Sequence, residues 1–137
     1  MLSTACTCTK LRRSARAVTA FYDAALEGSG LTTPQFSLLR LLARSGPCSL
    51  TEFAEHTGHD RTTISRTVGA LRKAGLIQPA EAKDQRTHMI ELAPAGREAI
   101  ARCAPAWEAA EARVDALLGD DRARLFALLD RIEDVGP

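Results

Sequence analysis

The stretch from Ser49 to Ala93 changes its apolar period twice, and few folds accommodate such a change. Leu50, Phe53 and Ala54 recur at helical steps behind Ser49 or Thr51 as a cap, and Gly58 breaks the pattern. Asp60 then offers a second cap, and Ile64, Val68 and Leu71 resume the helical period until Gly75 closes it at a C′ position. Two short apolar runs follow, Leu76-Ile77 and Met89-Ile90-Glu91-Leu92, around a charged tip from Ala82 to Thr87, which predicts a β-hairpin. Helix, turn, helix, strand, basic loop, strand is an order that can lay one helix in a DNA major groove and extend a loop toward the minor groove.

The second of those helices has an unusual outer face. Arg61, Thr62, Thr63, Ser65, Arg66 and Gly69 lie on or near the side away from the apolar stripe, where better helix formers would serve stability. Hydroxyls and guanidinium groups suit base edges and phosphates. Arg61 and Arg66 are candidates for a bidentate contact with guanine. Arg72, Lys73 and Lys83 suit phosphate, where they add salt-dependent affinity without reading sequence. Taken alone, the helix is equally compatible with arginines that pair with surface carboxylates; the hairpin beside it tips the reading toward DNA.

Charge is distributed to match. The net charge is only +1, yet residues 56–88 hold six Lys/Arg against three Asp/Glu, and residues 98–137 hold five Arg against nine Asp/Glu. A basic middle and an acidic tail suggest that the middle faces an anion.

The flanking segments read as helices. Leu11, Ala15, Val18, Tyr22 and Ala25 make an amphipathic stripe over 10–26, stopped by Gly28 and Gly30, with residues 1–9 expected to fray. Thr33 as a cap and Pro34 in the first turn open a helix that is apolar almost all round (Phe36, Leu38, Leu39, Leu41, Leu42, Ala43) and belongs in a core. After Pro94-Ala95-Gly96, a long pattern carries Ile100, Cys103, Trp107, Ala110, Val114 and Leu117, and a final helix carries Leu125, Leu128, Leu129, Ile132 and Val135. The expected fold is mainly α with a small β-hairpin wing. One domain spans 1–137, with a winged helix-turn-helix core over 33–93 and dimerisation helices over 10–30 and 95–137. No apolar run approaches the ~20 residues that span a bilayer; a cytoplasmic protein with no membrane partner is expected.

GHDRTTISRTVGALRKAGLI, followed by KDQRTHMIELAPAG and preceded by LTTPQFSLLRLLA, resembles the MarR family of winged helix-turn-helix transcriptional regulators. The resemblance runs from about Lys10 to the end, its most specific part being the D-x-R wing with a strand and P-x-G helix start behind it. It implies a homodimer on double-stranded, pseudo-palindromic DNA, acting as a repressor, with no enzymatic activity and no required cofactor. It also implies a recognition helix over 61–74, a wing arginine at Arg86 for the minor groove, and Asp84 holding the wing. One departure stands out. Where the family usually has an arginine closing the first wing strand, Gln78 is followed here by Pro79, and proline tends to end strand pairing, so a shorter or differently angled wing without that arginine's contact is expected.

Cysteines and aromatics suggest how such a regulator would be released. Cys6-Thr7-Cys8 precedes Lys10, Arg12 and Arg13, an electropositive setting that favours thiolates reactive toward an oxidant or a thiophilic metal ion. Similarity to the organic-hydroperoxide-sensing members of the family puts their reactive cysteine at Cys8, although the tyrosines that accompany it are replaced by Arg12 and Thr33. Cys48, after a Gly-Pro turn, is a further candidate thiol at a half-exposed position, while Cys103 falls on an apolar stripe. The family also implies a small aromatic ligand between the dimer helices and the core, for which Arg13, Phe21, Tyr22, Phe36 and Trp107 are pocket candidates or simply core. No C-x₂-C spacing suggests zinc, and His56 and His59 read as solvated helix-turn residues. Two other classes compete: a helical interaction module with a non-functional helix-turn-helix, and a small thiol-dependent enzyme, for which no Cys/His/Asp set has a recognisable spacing.

Overall fold

The computed structural model describes every residue except 1, 2, 4, 83 and 85. Six helices and a small sheet follow in order: α1 (Thr7–Ala25), α2 (Thr33–Ser45), β1 (Cys48–Ser49), α3 (Leu50–Thr57), α4 (Arg61–Lys73), β2 (Ile77–Ala80), β3 (Met89–Leu92), α5 (Pro94–Leu118) and α6 (Asp121–Glu133).

The helix starts follow side-chain chemistry. Ser49 caps α3 through a reciprocal box: its hydroxyl accepts from the Glu52 amide at 3.1 Å while Glu52 accepts from the Ser49 amide at 2.8 Å. Thr32, one residue earlier than the sequence suggests, caps α2 in the same way with Gln35. Thr33 is freed for another contact: its amide and hydroxyl both donate to Asp23 Oδ1, at 2.8 and 2.6 Å, tying α2 to the end of α1. Helix α1 begins at Thr7 with Cys6 as its cap, so the cysteine segment expected to fray is the first turn of a helix.

The main core gathers one face from each element of the middle of the chain. Leu38, Leu39 and Leu42 of α2, Phe53 of α3, Ile64, Val68 and Leu71 of α4, and Ile77, Ile90 and Leu92 of the sheet are all buried together. Each such side chain contributes about 1.5–3 kcal/mol by leaving water. Cys103, Leu26 and Phe36 form a second cluster under Trp107, joining α1 and α2 to α5.

The sheet has the order β1-β3-β2, both pairs antiparallel. The hairpin is therefore joined by a third strand, in which Cys48 lies opposite Ile90. Pro79 does not end β2, contrary to expectation: it pairs with Ile90, and Ala80 pairs with Met89 beyond it. Ala93 N–H donates to Leu76 O at 3.0 Å, and alternation from that bond puts Pro79 at a non-hydrogen-bonded pair on an edge strand. Its missing N–H would have pointed away from β3, so the ladder loses nothing.

Helices α1 and α6 are poorly covered within one chain. No residue of α6 is buried, and Phe126 and Val18 are 50% and 51% exposed. Leu125, Leu128 and Ile132 repeat the pattern along α6, and Leu117 near the end of α5 is 82% exposed.

Candidate nucleic-acid interface

Asp60 starts α4. Its carboxylate accepts from the Thr63 amide at 2.8 Å, and hydrogen bonding from the Thr63 hydroxyl and amide holds its pKa below the ordinary value. Gly58, at φ 67°, makes the left-handed turn between α3 and α4 that L side chains avoid. One stripe of α4, Ile64, Val68 and Leu71, is buried and fixes the helix's rotation.

That rotation decides what faces outward. At about 100° per residue, Thr62, Arg66, Gly69 and Lys73 recur directly opposite the buried stripe. All four are exposed. Arg61, Ser65 and Arg72 form an exposed row along one flank, and Thr63 lies on the other. Lys73 thus shares the central row with Arg66, whereas Arg61 stands beside it. Among the described residues, the ion pairs within 4 Å involve Arg122 and neither Arg61 nor Arg66, while the Arg66 charge lies close enough to the Asp60 carboxylate to favour its ionised form.

At the wing, Asp84 Oδ1 accepts from the Arg86 amide at 3.0 Å and Asp84 O accepts from the Thr87 amide at 3.1 Å. The aspartate closes a tight turn, and Arg86 is exposed on it. Lys83 lies outside the described residues. Gln78, one residue before Pro79, donates through Nε2 to Glu91 Oε1 at 3.0 Å, a cross-strand pair whose partners are directly in register.

The thiols divide by environment. Cys6 and Cys8 are exposed at the start of α1. Hydrogen bonding from Thr9 draws the Cys6 thiol below its ordinary pKa. Cys48 is buried rather than half exposed, because β1 pairs it with β3. Burial, with Glu52 nearby, pushes its thiol up to about 11, so it is a poor sensor.

Within the single chain, four of the five aromatic-pocket candidates, Phe21, Tyr22, Trp107 and Phe36, are joined by successive ring contacts. Tyr22 and Phe36 are buried, packed against Trp107 with ring centroids 4.6 and 5.0 Å away. Phe21 lies under the Arg113 guanidinium, 4.8 Å from its ring centroid, and Arg13 is exposed on α1. Trp107 lines a cleft of about 390 Å³ shared with Arg40, Arg44, Glu108 and Glu111. The sequence signal for it is the four-residue step from Phe36 to Arg40 to Arg44 on α2, which runs beside the core stripe. At the cleft's edge the Tyr22 hydroxyl donates to Glu111 at 2.5 Å, and burial followed by that bond raises its pKa to about 12. Arg122 reaches the same Glu111 at 2.9 Å, and its buried Nε makes an ion pair, though no hydrogen bond, with Asp115 at 2.9 Å.

Comparison with known proteins agrees with this geometry. A family model described as MarR family matches residues 29–87. HTH-type transcriptional repressor Rv2887 of Mycobacterium tuberculosis is 34% identical over 105 residues, 76% of this chain and 76% of that protein. The M. tuberculosis transcriptional regulator MosR in complex with DNA is similar in structure, with a TM-score of 0.82 and 36% identity over 94% of this chain and 96% of that one. The transcriptional repressor CouR bound to a 23-mer DNA duplex gives a TM-score of 0.84 at 28% identity, covering 97% and 99%.

Proposed function

The chain belongs to the MarR family of transcriptional regulators, and from that premise we propose that it represses transcription as a homodimer whose two α4 helices enter the major groove of a pseudo-palindromic operator. The observation that carries the reading is the α4 surface: one buried stripe fixes the helix, and the row opposite it is wholly exposed and made of hydroxyl, guanidinium, glycine and ammonium positions.

Thr62 and Arg66, with Arg61, Thr63 and Ser65 beside them, read base edges; Arg72 and Lys73 contact phosphate. Arg86, on the turn that Asp84 closes, reaches the minor groove, and Lys83, three residues earlier in the sequence, adds a phosphate contact. This assignment makes α4 the source of sequence preference and the wing a source of affinity.

The dimer is supported by apolar side chains that one chain leaves in water. Leu125, Phe126, Leu128 and Ile132 on α6, Leu117 on α5 and Val18 on α1 are exposed. A second copy supplies the missing cover, and the lysine and arginines at 10, 12, 13 and 16 complement the acidic residues of α5 and α6. Two recognition helices about one DNA turn apart then read both half-sites. Such a regulator works in the cytoplasm; no helix among the described residues is long and apolar enough to cross a membrane. Membership of a family of regulators displaces the thiol-dependent enzyme.

A gel shift on the DNA upstream of its own coding sequence tests the proposal. The wild type shifts that fragment at low salt, and Arg66→Ala with Arg86→Ala abolishes the shift while the protein stays folded by circular dichroism. No shift by the wild type at low salt would leave the interaction module as the better reading.

A further inference from the structure

We propose that Gly69 is where α4 rests against the floor of the DNA major groove, so that a base edge takes the space a Cβ would occupy. The inference deepens the operator-binding reading above and rests on it; what it adds is a specificity contact at a position with no side chain.

Nothing inside the chain asks for a glycine there. Seven of the nine glycines hold a positive φ, where L side chains are strained. An eighth, Gly96, is pressed against the Leu76 carbonyl and leaves no room for a Cβ. Gly69 has neither reason. It lies inside α4 with helical residues on both sides and no positive φ, and a Cβ built on it meets no atom within 4 Å.

Its presence weakens the helix. A glycine in a helix interior gives up more backbone freedom on folding than any other residue. Relative to alanine, it lowers the ratio of folded to unfolded protein by roughly fivefold. Helix α4 is otherwise well specified, with Asp60 as a side-chain cap and Gly75 in the left-handed conformation behind it. A residue that weakens the free protein and serves neither its backbone nor its packing is accounted for by what the helix binds.

Its place says what that is. Thr62, Arg66, Gly69 and Lys73 form the exposed row opposite the buried Ile64, Val68 and Leu71. The large apolar side chains left for a second copy are on α1, α5 and α6, and none is on α4. Along the axis, Gly69 stands about 4.5 Å beyond Arg66 and about 6 Å before Lys73. Two long cationic side chains thus bracket a gap and reach past it. A helix with its side chains is about 10–12 Å across and the major groove about 12 Å wide, so the fit has little slack. A bare Cα at the centre of the leading row lets the axis sit deeper and brings Thr62 and Arg66 within reach of base edges. A methyl group at that point lifts the row away from them.

The test compares Gly69→Ala and Gly69→Leu with the full-length wild type, by urea denaturation and by gel shift. Both variants unfold at higher urea than the wild type, because both residues are better helix formers. Affinity for the upstream DNA fragment moves the opposite way: it falls by roughly tenfold for alanine, the scale of one lost base contact, and further for leucine. Binding to an unrelated duplex of the same length is unchanged, since phosphate contacts carry it. Alanine binding the upstream fragment as tightly as the wild type overturns the proposal. So does a loss of stability alongside the loss of affinity, which would make the glycine structural, or an equal loss on the unrelated duplex, which would put the contact at the phosphates. A wild type that shifts no DNA at low salt removes the operator-binding reading and this contact with it, whereas equal binding by wild type and variants removes this contact alone.

Discussion

Gly96 lies against the backbone carbonyl of Leu76: a Cβ at Gly96 would stand 2.2 Å from the Leu76 oxygen and 2.7 Å from a Leu92 methyl. The same oxygen accepts the Ala93 amide at 3.0 Å, so the first turn of α5 is seated on the start of the wing. This contact joins the long helix α5 to the hairpin that carries Arg86.

Gly96→Ala is expected to destabilise the fold. Its backbone neighbour cannot rotate away, so α5 or the start of β2 must shift, at a cost of about 1–3 kcal/mol by analogy with overpacked cores. Urea denaturation of the variant checks this. A midpoint equal to the wild type's would mean that the wing moves freely relative to α5.

Asp60→Ala is expected to loosen the start of α4 and, if α4 is the DNA-reading helix proposed above, to weaken DNA binding several-fold, an effect on the order of that of other coupled positions. The sign with pH follows from its depressed pKa. The stabilisation is fully present above the unfolded carboxylate value, about 3.9, and disappears as pH falls through the lower folded value. Denaturation midpoints of wild type and variant should therefore differ at pH 6 and converge at the acid end. A gap that persists unchanged below pH 3 would remove the carboxylate from the account of the cap.

Alkylation should separate the four cysteines. Iodoacetamide at pH 7.5 is expected to modify Cys6 and Cys8 in the folded protein and to leave Cys48 and Cys103 untouched until urea unfolds the chain. Cys48 is buried with its thiol raised to about 11, and Cys103 is buried in the second cluster. Peptide mass mapping reads the order directly; early labelling of Cys48 would mean that β1 opens readily from β3.

Much of this architecture is a local property of the chain. Asp60, the Ile64–Val68–Leu71 spacing and Gly75 specify α4 without help, because a cap, a stripe and a stop act over a few residues. The same holds for the Asp84 turn that presents Arg86. Pairing was harder to foresee. Two residues have no period, so nothing at Cys48-Ser49 announced a strand, and the burial of Cys48 followed from that omission. Pro79 misled for a related reason: whether a missing N–H costs anything depends on which edge it faces.

The sequence by itself determined helix α4, its outer chemistry and the order of elements, since period and capping are written in neighbouring residues. Only the tertiary structure decided which arginine shares a row with Lys73, which aromatic side chains are buried within the chain, and that the Cys6 segment is helical. Those outcomes depend on how α1, α2, α5 and the sheet cover one another, and such long-range contacts have no signature along the chain.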